Sequence, residues 1–364
     1  MKVCLINNLY GNNAVGGAEK VIQVRALEYK KKGDNVFIIT SKASKSPKIE
    51  KSNENGIVIY RVWMPNIFYY KDLSKHGFVL KLIWHFIDVF GSAKVIERVL
   101  TEEKPDVVET HNLMGITFSQ KFIKSKSQKS VIWRHFLHDV QLVEPSGVLV
   151  WNHVSDNLMQ KIYSGIMKRK FKGVDEVISP SEFLRDFYFK RGFFENSEWN
   201  IDKMLGTGRD LPVQRSQHLP NSKFLFVGSL VKHKGVRILM QAWDKRYGGG
   251  EGLDPPVHDL PALQNLHIVG DGILRDEVEK WASGKSNVKV YGRLEGEELE
   301  NIYKNCDILI FPSICIENNP TVIHEAHEHG LRVIASNTGG VGEIVFDGDV
   351  LVEPGNVEEL ISSI

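Results

Sequence analysis

The sequence predicts an α/β protein built from two Rossmann-like domains that face each other across a cleft. Three observations carry the prediction. The chain has 364 residues, too many for one ordinary core and suited to two domains of similar size. Short apolar runs alternate with amphipathic helical stretches, as in parallel sheets with crossover helices. The alternation also restarts midway, and each half opens with a strand, a glycine-containing turn and a helix.

In the first half, residues 3–7 read as a buried strand, 11–17 as a glycine-containing loop, 18–32 as a helix stopped by Gly33, and 36–40 as the next strand. Further strands are expected at 107–110, 131–133 and 176–179. In the second half the strands are 224–228, 266–270, 288–291, 307–311 and 332–336, with helices at 235–243 and 320–329. The boundary falls within 192–222, a stretch rich in Asn, Ser, Gly and Pro, giving domains at 1–200 and 201–364. A Gly/Pro/Asp-rich insertion at 247–261 reads as a surface loop. Ligands of such sheets lie at the carboxyl ends of the strands, so a shared site in the cleft is expected.

The composition, 42% hydrophobic and 25% charged with no low-complexity tract, is that of a globular enzyme. A formal net charge of +1 conceals an asymmetry: residues 1–200 hold 30 Lys+Arg against 21 Asp+Glu, and 201–364 hold 16 against 24. Two readings stay open, drift between domains or an anionic partner for the first half, such as a phospholipid surface or a phosphorylated acceptor. The excess forms no polybasic tract, and nothing points to nucleic acid. Cys4, Cys306 and Cys315 show neither paired nor metal-ligand spacing, which suggests a reducing compartment. The apolar run after Lys2 is too short for a signal-peptide core, and no stretch approaches the ~20 apolar residues of a membrane helix. A cytoplasmic protein is expected, touching a membrane only from that side.

The segment Glu317-Asn318-Asn319-Pro320-Thr321-Val322-Ile323-His324-Glu325 carries the chemistry. Pro320 can open a helix, whose first N–H groups, Thr321 among them, then form an anion site suited to a diphosphate. Glu317 could reach sugar hydroxyls and Glu325 ribose hydroxyls. Alone, two glutamates at this spacing are more simply a capping-region residue and a surface residue. The surroundings favour the site. Gly228-Ser229 precedes Lys234-Gly235, a glycine for close backbone approach and a lysine as a point charge. Gly339-Gly340 follows a later strand, Gly16-Gly17-Ala18-Glu19 opens the first helix, and His138-Asp139 lies just past a strand.

This ordered set resembles the family 4 retaining glycosyltransferases of the GT-B fold. In the first domain the match runs through Gly16–Glu19 and its helix, Pro105-Asp106-Val107-Val108-Glu109-Thr110-His111-Asn112, and His135-Phe136-Leu137-His138-Asp139. In the second it runs from Phe226 to Gly235, then Gly270-Asp271-Gly272, Gly292-Arg293, Glu317 with Glu325, and Gly339-Gly340. The resemblance implies transfer of a hexose-type sugar from a nucleotide diphosphate to a glycan or lipid-linked acceptor, in cell-surface polysaccharide synthesis. His138, Glu317 and Lys234 would be the catalytic set, with His138 positioning and stabilising charge near the anomeric carbon. Gly17, Gly228, Ser229, Lys234, Arg293, Asn318, Asn319, Thr321 and Glu325 would bind the donor. The base would rest near residues 291–294, and His111 and Asn112 would lie on the acceptor side. The family usually has Arg where this chain has Ser229. Attack on the same face as the leaving phosphate would retain configuration, and no metal or cofactor is implied.

Asp347-Gly348-Asp349 spells a metal motif but is expected in a surface turn. Other classes remain: a GT-B nucleotide-sugar epimerase, or a non-catalytic nucleotide-sugar-binding protein. A dehydrogenase is disfavoured, because no Gly-x-Gly-x-x-Gly follows the first strand. Residues 78–90 are apolar around most of a helix, with Lys81, His85 and Asp88 as a narrow polar stripe. Burial inside the first domain is the favoured reading. A peripheral membrane contact through 63–90 is the rival. The lysines of 121–129 read as a solvated helix end. The chain stops one or two turns into a last helix, so the terminal helices usual in the family are expected to be missing or shortened.

Overall fold

The computed structural model describes residues 1–11, 17–117, 123, 131–203, 222–247 and 265–364. Gly16, most of the boundary stretch, the 247–261 insertion beyond Tyr247 and the lysines of 121–129 lie outside them. The chain divides into two compact units, Met1–Val148 with Ser155–Gly208, and Leu149–Val154 with Arg209–Ile364.

Along the first unit run β1 (Lys2–Ile6), α1 (Gly17–Lys31), β2 (Asn35–Lys42), β3 (Ile49–Glu54), β4 (Ile57–Trp63), α2 (Phe78–Phe90), α3 (Lys94–Glu103), β5 (Val107–Thr110), β6 (Ile132–Phe136), α4 (Leu158–Lys170), β7 (Glu176–Ser179), α5 (Glu182–Phe189) and β8 (Glu198–Ile201). The sheet order is β3-β4-β2-β1-β5-β6-β7-β8. Only β3 runs antiparallel, as an edge strand with several exposed residues. Asn55 and Gly56, both at positive φ, turn β3 into β4. β1 and β5 are buried on both faces, as expected of central parallel strands under helices. Asn157 and Gln160 cap α4 reciprocally, and the Ser181 hydroxyl accepts the Leu184 N–H at the start of α5.

A carboxylate sits inside this apolar layer. Glu109, in the middle of β5, has no exposed surface. Its Oε1 accepts from Arg25 at 2.9 Å, from Arg134 at 2.7 Å and from the Tyr29 hydroxyl. Arg134 also donates to Glu176 at 2.6 Å. Two guanidinium groups and a phenol thus take over the solvation that burial removes.

The second unit holds β9 (Lys223–Val227), α6 (Val236–Tyr247), β10 (Asn265–Val269), α7 (Arg275–Ala282), β11 (Val288–Gly292), α8 (Gly296–Lys304), β12 (Ile308–Phe311), α9 (Thr321–Glu328), β13 (Arg332–Ser336), β14 (Val350–Val352) and α10 (Val357–Ser363). Its sheet order is β11-β10-β9-β12-β13-β14, all parallel. Counted from β9 this is 3-2-1-4-5-6, with its topological switch between β9 and β12. One apolar cluster around Phe224, Trp243, Ile268 and Ile310 fills one face, and another around Leu225, Leu309, Ile323 and Val333 fills the other. Leu149–Val154 belongs here although it lies within the first 200 residues. Val150 bridges Cys315, the Trp151 N–H donates to the Ile314 carbonyl at 3.2 Å, and the Ile316 N–H donates to Leu149 at 2.8 Å.

Two expectations need correction. Asp349 is not a surface residue. Its carboxylate is turned fully inward, accepting from the Val333 N–H at 2.9 Å and pairing with His327 Nε2 at 2.9 Å, while Asp347 stays exposed. Helix α2 is not buried in its domain: only Trp84, Asp88 and Val89 are.

Candidate functional site

In the second unit, the chain leaving β9 and the chain leaving β12 lie side by side at the switch point. The first passes Gly228, whose N–H donates to the Val269 carbonyl at 3.0 Å, then exposed Ser229, and ends in a short 3-10 turn, Lys232–Lys234. Gly235 follows with φ +74°, and a Cβ there would fall 1.7 Å from the Pro312 carbonyl oxygen. Only glycine lets the two segments come this close. The Ile314 N–H, donating to the His233 carbonyl at 2.9 Å, completes the join.

That contact delivers Lys234 to Glu317. The ammonium Nζ lies 2.6 Å from Glu317 Oε1. The same oxygen accepts from the Ser313 hydroxyl at 2.7 Å and is 3.4 Å from Cys315 Sγ. Burial works against the lysine charge, but Glu317, helped by Cys315, more than offsets it, so the Lys234 pKa is raised and the group stays cationic. The Cys315 thiol is pushed up to about 12 by burial and then by Glu317. The backbone of Glu317 is held as firmly. Its carbonyl accepts the Gly340 N–H at 2.7 Å, and a Cβ on Gly339, at φ +61°, would come within 2.0 Å of it.

Helix α9 starts at Thr321, and its N-cap, Pro320, supplies no side-chain cap. The N–H groups of a first helical turn have no intrahelical acceptor. Asn319 Oδ1 lies 2.5 Å from His324 Nε2, which braces the entry to the helix, and Asn318 beside it is buried. One turn on, Glu325 Oε2 accepts from the Tyr303 hydroxyl at 2.9 Å. Lys234, Glu317, Asn318, Asn319, Thr321 and Glu325 therefore belong to one neighbourhood of β9, β12 and α9. Arg293 stands apart: it is exposed just after β11 and pairs with Glu295.

In the first unit the counterpart lies at the ends of β5 and β6, with Gly17 opening α1. His111 follows β5 and stacks on Phe136, ring centroids 4.5 Å apart, with its Nδ1 3.0 Å from His138 Nε2. Its Nε2 lies 3.9 Å from Glu109 Oε2. The Asn112 N–H donates to Asn7 Oδ1 at 3.0 Å, so Asn112 joins the ends of β1 and β5 through its backbone. Sequence reasoning missed Ser313, Cys315 and Tyr303, and it gave Glu109 no role. The one available signal for Glu109 was a carboxylate in the middle of an apolar strand.

The three histidines make a testable statement. Burial drives His138 down to about 4 and His135 to about 3, and it holds His111 well below the usual imidazole value, with His138, Arg25 and His135 adding to the effect there. All three are neutral at neutral pH. The unfolded chain protonates each ring below about pH 6.5, whereas the folded chain resists until near 4, so stability falls as pH drops through that window. Asp139, raised to about 6 by burial against the Gln141 N–H, acts in the opposite sense and offsets part of the loss. Urea midpoints should therefore be distinctly lower at about pH 5 than at about pH 7.5, with up to about 1.4 kcal/mol per pH unit from each ring. Equal midpoints would mean that the rings are hydrated.

Against known proteins, residues 15–197 match the family profile described as Glycosyltransferase Family 4, and residues 221–364 match that described as Glycosyl transferases group 1. An uncharacterized 42.6 kDa protein of the cps region of Klebsiella pneumoniae is 26% identical over 351 residues, covering 94% of this chain and 87% of that protein. The lipopolysaccharide 1,2-N-acetylglucosaminetransferase of Salmonella typhimurium is 26% identical over 218 residues, 52% of each chain. Among solved structures, HepE of Anabaena in complex with UDP-glucose superposes with a TM-score of 0.63 at 16% identity, over 100% of this chain and 88% of that one.

Proposed function

The chain belongs to glycosyltransferase family 4 and has the GT-B fold, and from that premise we propose that it moves a hexose-type sugar from a nucleoside diphosphate donor to a glycan or lipid-linked acceptor, with retention of configuration and without a metal. The observation that carries the reading is the Lys234–Glu317 contact at the β9/β12 switch point, beside the N-terminus of α9. A cation and a helix N-terminus together suit a departing diphosphate. Glu325 and Tyr303 would receive the ribose, and Glu317 the sugar hydroxyls.

In the transfer step the bond from the anomeric carbon to the phosphate oxygen breaks. The acceptor oxygen bonds to that carbon on the same face, and its proton passes to the departing diphosphate. Lys234 stabilises the charge that develops on the leaving oxygen. The neutral His138 ring, held against His111, is suited to a hydrogen bond with the sugar rather than to covalent work. Arg293, turned to Glu295, would have to leave that partner to meet the donor. The lipopolysaccharide enzyme and the cps-region protein among the relatives support cell-surface polysaccharide synthesis. The three free, buried cysteines suit a cytoplasmic location, and an acceptor carried on lipid would call for peripheral membrane contact.

The test is a panel of nucleotide sugars with EDTA present, reading release of the nucleoside diphosphate. One donor should be turned over, or bound in calorimetry if the acceptor is lacking, and His138→Ala should lower turnover by about 10²-fold, the usual scale for one positioned hydrogen-bonding group. Lack of both turnover and binding for every donor in the panel would refute the reading.

A further inference from the structure

Helix α2 is amphipathic in the wrong sense for water. Its polar stripe, Lys81, His85 and Asp88, lies towards the protein, with Asp88 buried and the other two partly so. Its apolar side faces out: Phe78 is 75% exposed, Val79 67%, Phe86 65%, Phe90 52%, Leu82 49% and Ile83 45%. The helix cannot roll over to correct this. Asp88 accepts the Gly115 N–H at 3.0 Å and the Thr117 N–H at 3.2 Å. Trp84, with no exposed surface, donates its indole N–H to the Phe68 carbonyl at 2.9 Å. Isolated exposed apolar side chains are ordinary, but a whole helix face of them marks an interaction surface.

Charge decides between occupants. Helix α4 adjoins α2, where the Lys170 ammonium lies 5.5 Å from the Phe90 ring centroid, and it also exposes Leu158, Met159 and Ile162. The residues 70–75, α2 and α4 together hold seven Lys and Arg against two acidic groups, one of them the buried Asp88. A second copy of this face would bring like charges together. An anionic bilayer attracts both components, the apolar side chains and the basic rim. At 13 residues α2 is about 20 Å long, and no helix among the described residues is long and apolar enough to cross a membrane.

We infer that α2, with the basic and apolar surface of α4, docks the first unit onto an anionic lipid bilayer, α2 lying along the interface with Phe78, Val79, Ile83 and Phe86 among the acyl chains. The inference rests on the proposed lipid-linked acceptor only for its purpose. The binding itself needs no donor chemistry.

The test is flotation of the full chain with phosphatidylcholine vesicles, with and without about one third phosphatidylglycerol. Wild type should float with the anionic vesicles and far less with the neutral ones. Ile83→Ser and Phe86→Ser together should lower the partition by well over tenfold, since each apolar side chain is worth about tenfold or more. Lys161→Glu with Arg169→Glu should lower it several-fold, in a salt-dependent way. These side chains are exposed, so thermal unfolding and donor binding by calorimetry should match wild type, which separates failure here from failure of the transferase reading. No flotation by the wild type would overturn the inference. So would a dimer in sedimentation that the α2 substitutions dissociate, since the apolar face would then belong to a second copy.

Discussion

Lys234→Ala should reduce sugar transfer by about 10²–10³-fold in kcat, the loss of some 2.7–4 kcal/mol of transition-state stabilisation, with a smaller change in donor KM. In the proposed transfer the bond that breaks would leave charge on a phosphate oxygen, so an interaction that strengthens with this charge would act on kcat. Lys234 is well fixed to provide it, because its turn is locked against the β12 loop through Gly235 and Pro312, and its ammonium is held at 2.6 Å from Glu317. A competing explanation is that the lysine only neutralises Glu317, whose carboxylate would be stranded by the substitution. The double variant Lys234→Ala/Glu317→Gln separates the two. If neutralisation were the whole role, activity would return towards the Glu317→Gln level. The expected result is that it stays as low as in Lys234→Ala. Steady-state kinetics with the donor found in the panel, and circular dichroism to confirm folding, would decide it.

The largest effect on stability is expected from Glu109→Ala. The substitution leaves the Arg25 and Arg134 guanidinium groups beside a cavity in an apolar layer, without the carboxylate that both contact within 2.9 Å. Breaking a buried ion pair by removing one partner typically costs about 3–5 kcal/mol, a large part of the stability of an ordinary domain. Urea unfolding at neutral pH should show the first unit losing its transition midpoint while the second keeps its own. Adding Arg25→Met should recover part of the loss, because it removes one of the two charges that lose Glu109 and leaves only its weaker pairing with Glu28 to be given up. A loss under about 1 kcal/mol would mean that water enters and solvates the arginines.

The central parallel strands were legible because they are short, apolar runs bounded by glycines and polar turns, a pattern that burial on both faces imposes. Expected and observed bounds agree for β5, β7 and β13 and differ by a single residue for β1, β9, β10 and β12. The antiparallel edge was not seen. β3, Ile-Glu-Lys-Ser-Asn-Glu, has one half-buried face and no apolar run, and its signal was the Asn55-Gly56 turn alone. Asn157 with Gln160 spelled the capping of α4, which also went unread.

The proximity of the proposed donor-side residues was legible for a local reason. Glu317, Thr321 and Glu325 lie on one loop and helix, so their spacing already determines that they share a neighbourhood. Lys234 came with them through its glycine and through family resemblance, not through geometry. Ser313, Cys315 and Tyr303 were not legible. A serine, a cysteine and a tyrosine in an apolar context carry no signal until their partners are known, and Tyr303 meets Glu325 only because α8 packs near α9.

The sequence alone, then, determined the fold class, the alternation of strands and helices and the grouping of Glu317, Thr321 and Glu325 on one loop and helix, because these depend on neighbours within about ten residues. The tertiary structure decided what depends on partners far apart in the chain. Glu109 becomes a stabilised buried charge through Arg25, 84 residues away, and through Tyr29 and Arg134. Helix α2 shows the limit most clearly. Periodicity identified an apolar face and a polar stripe, but it defines an axis and not which end of it points inward. Trp84 and Asp88, held by Phe68, Gly115 and Thr117, set that direction, and they turned the apolar face to the outside.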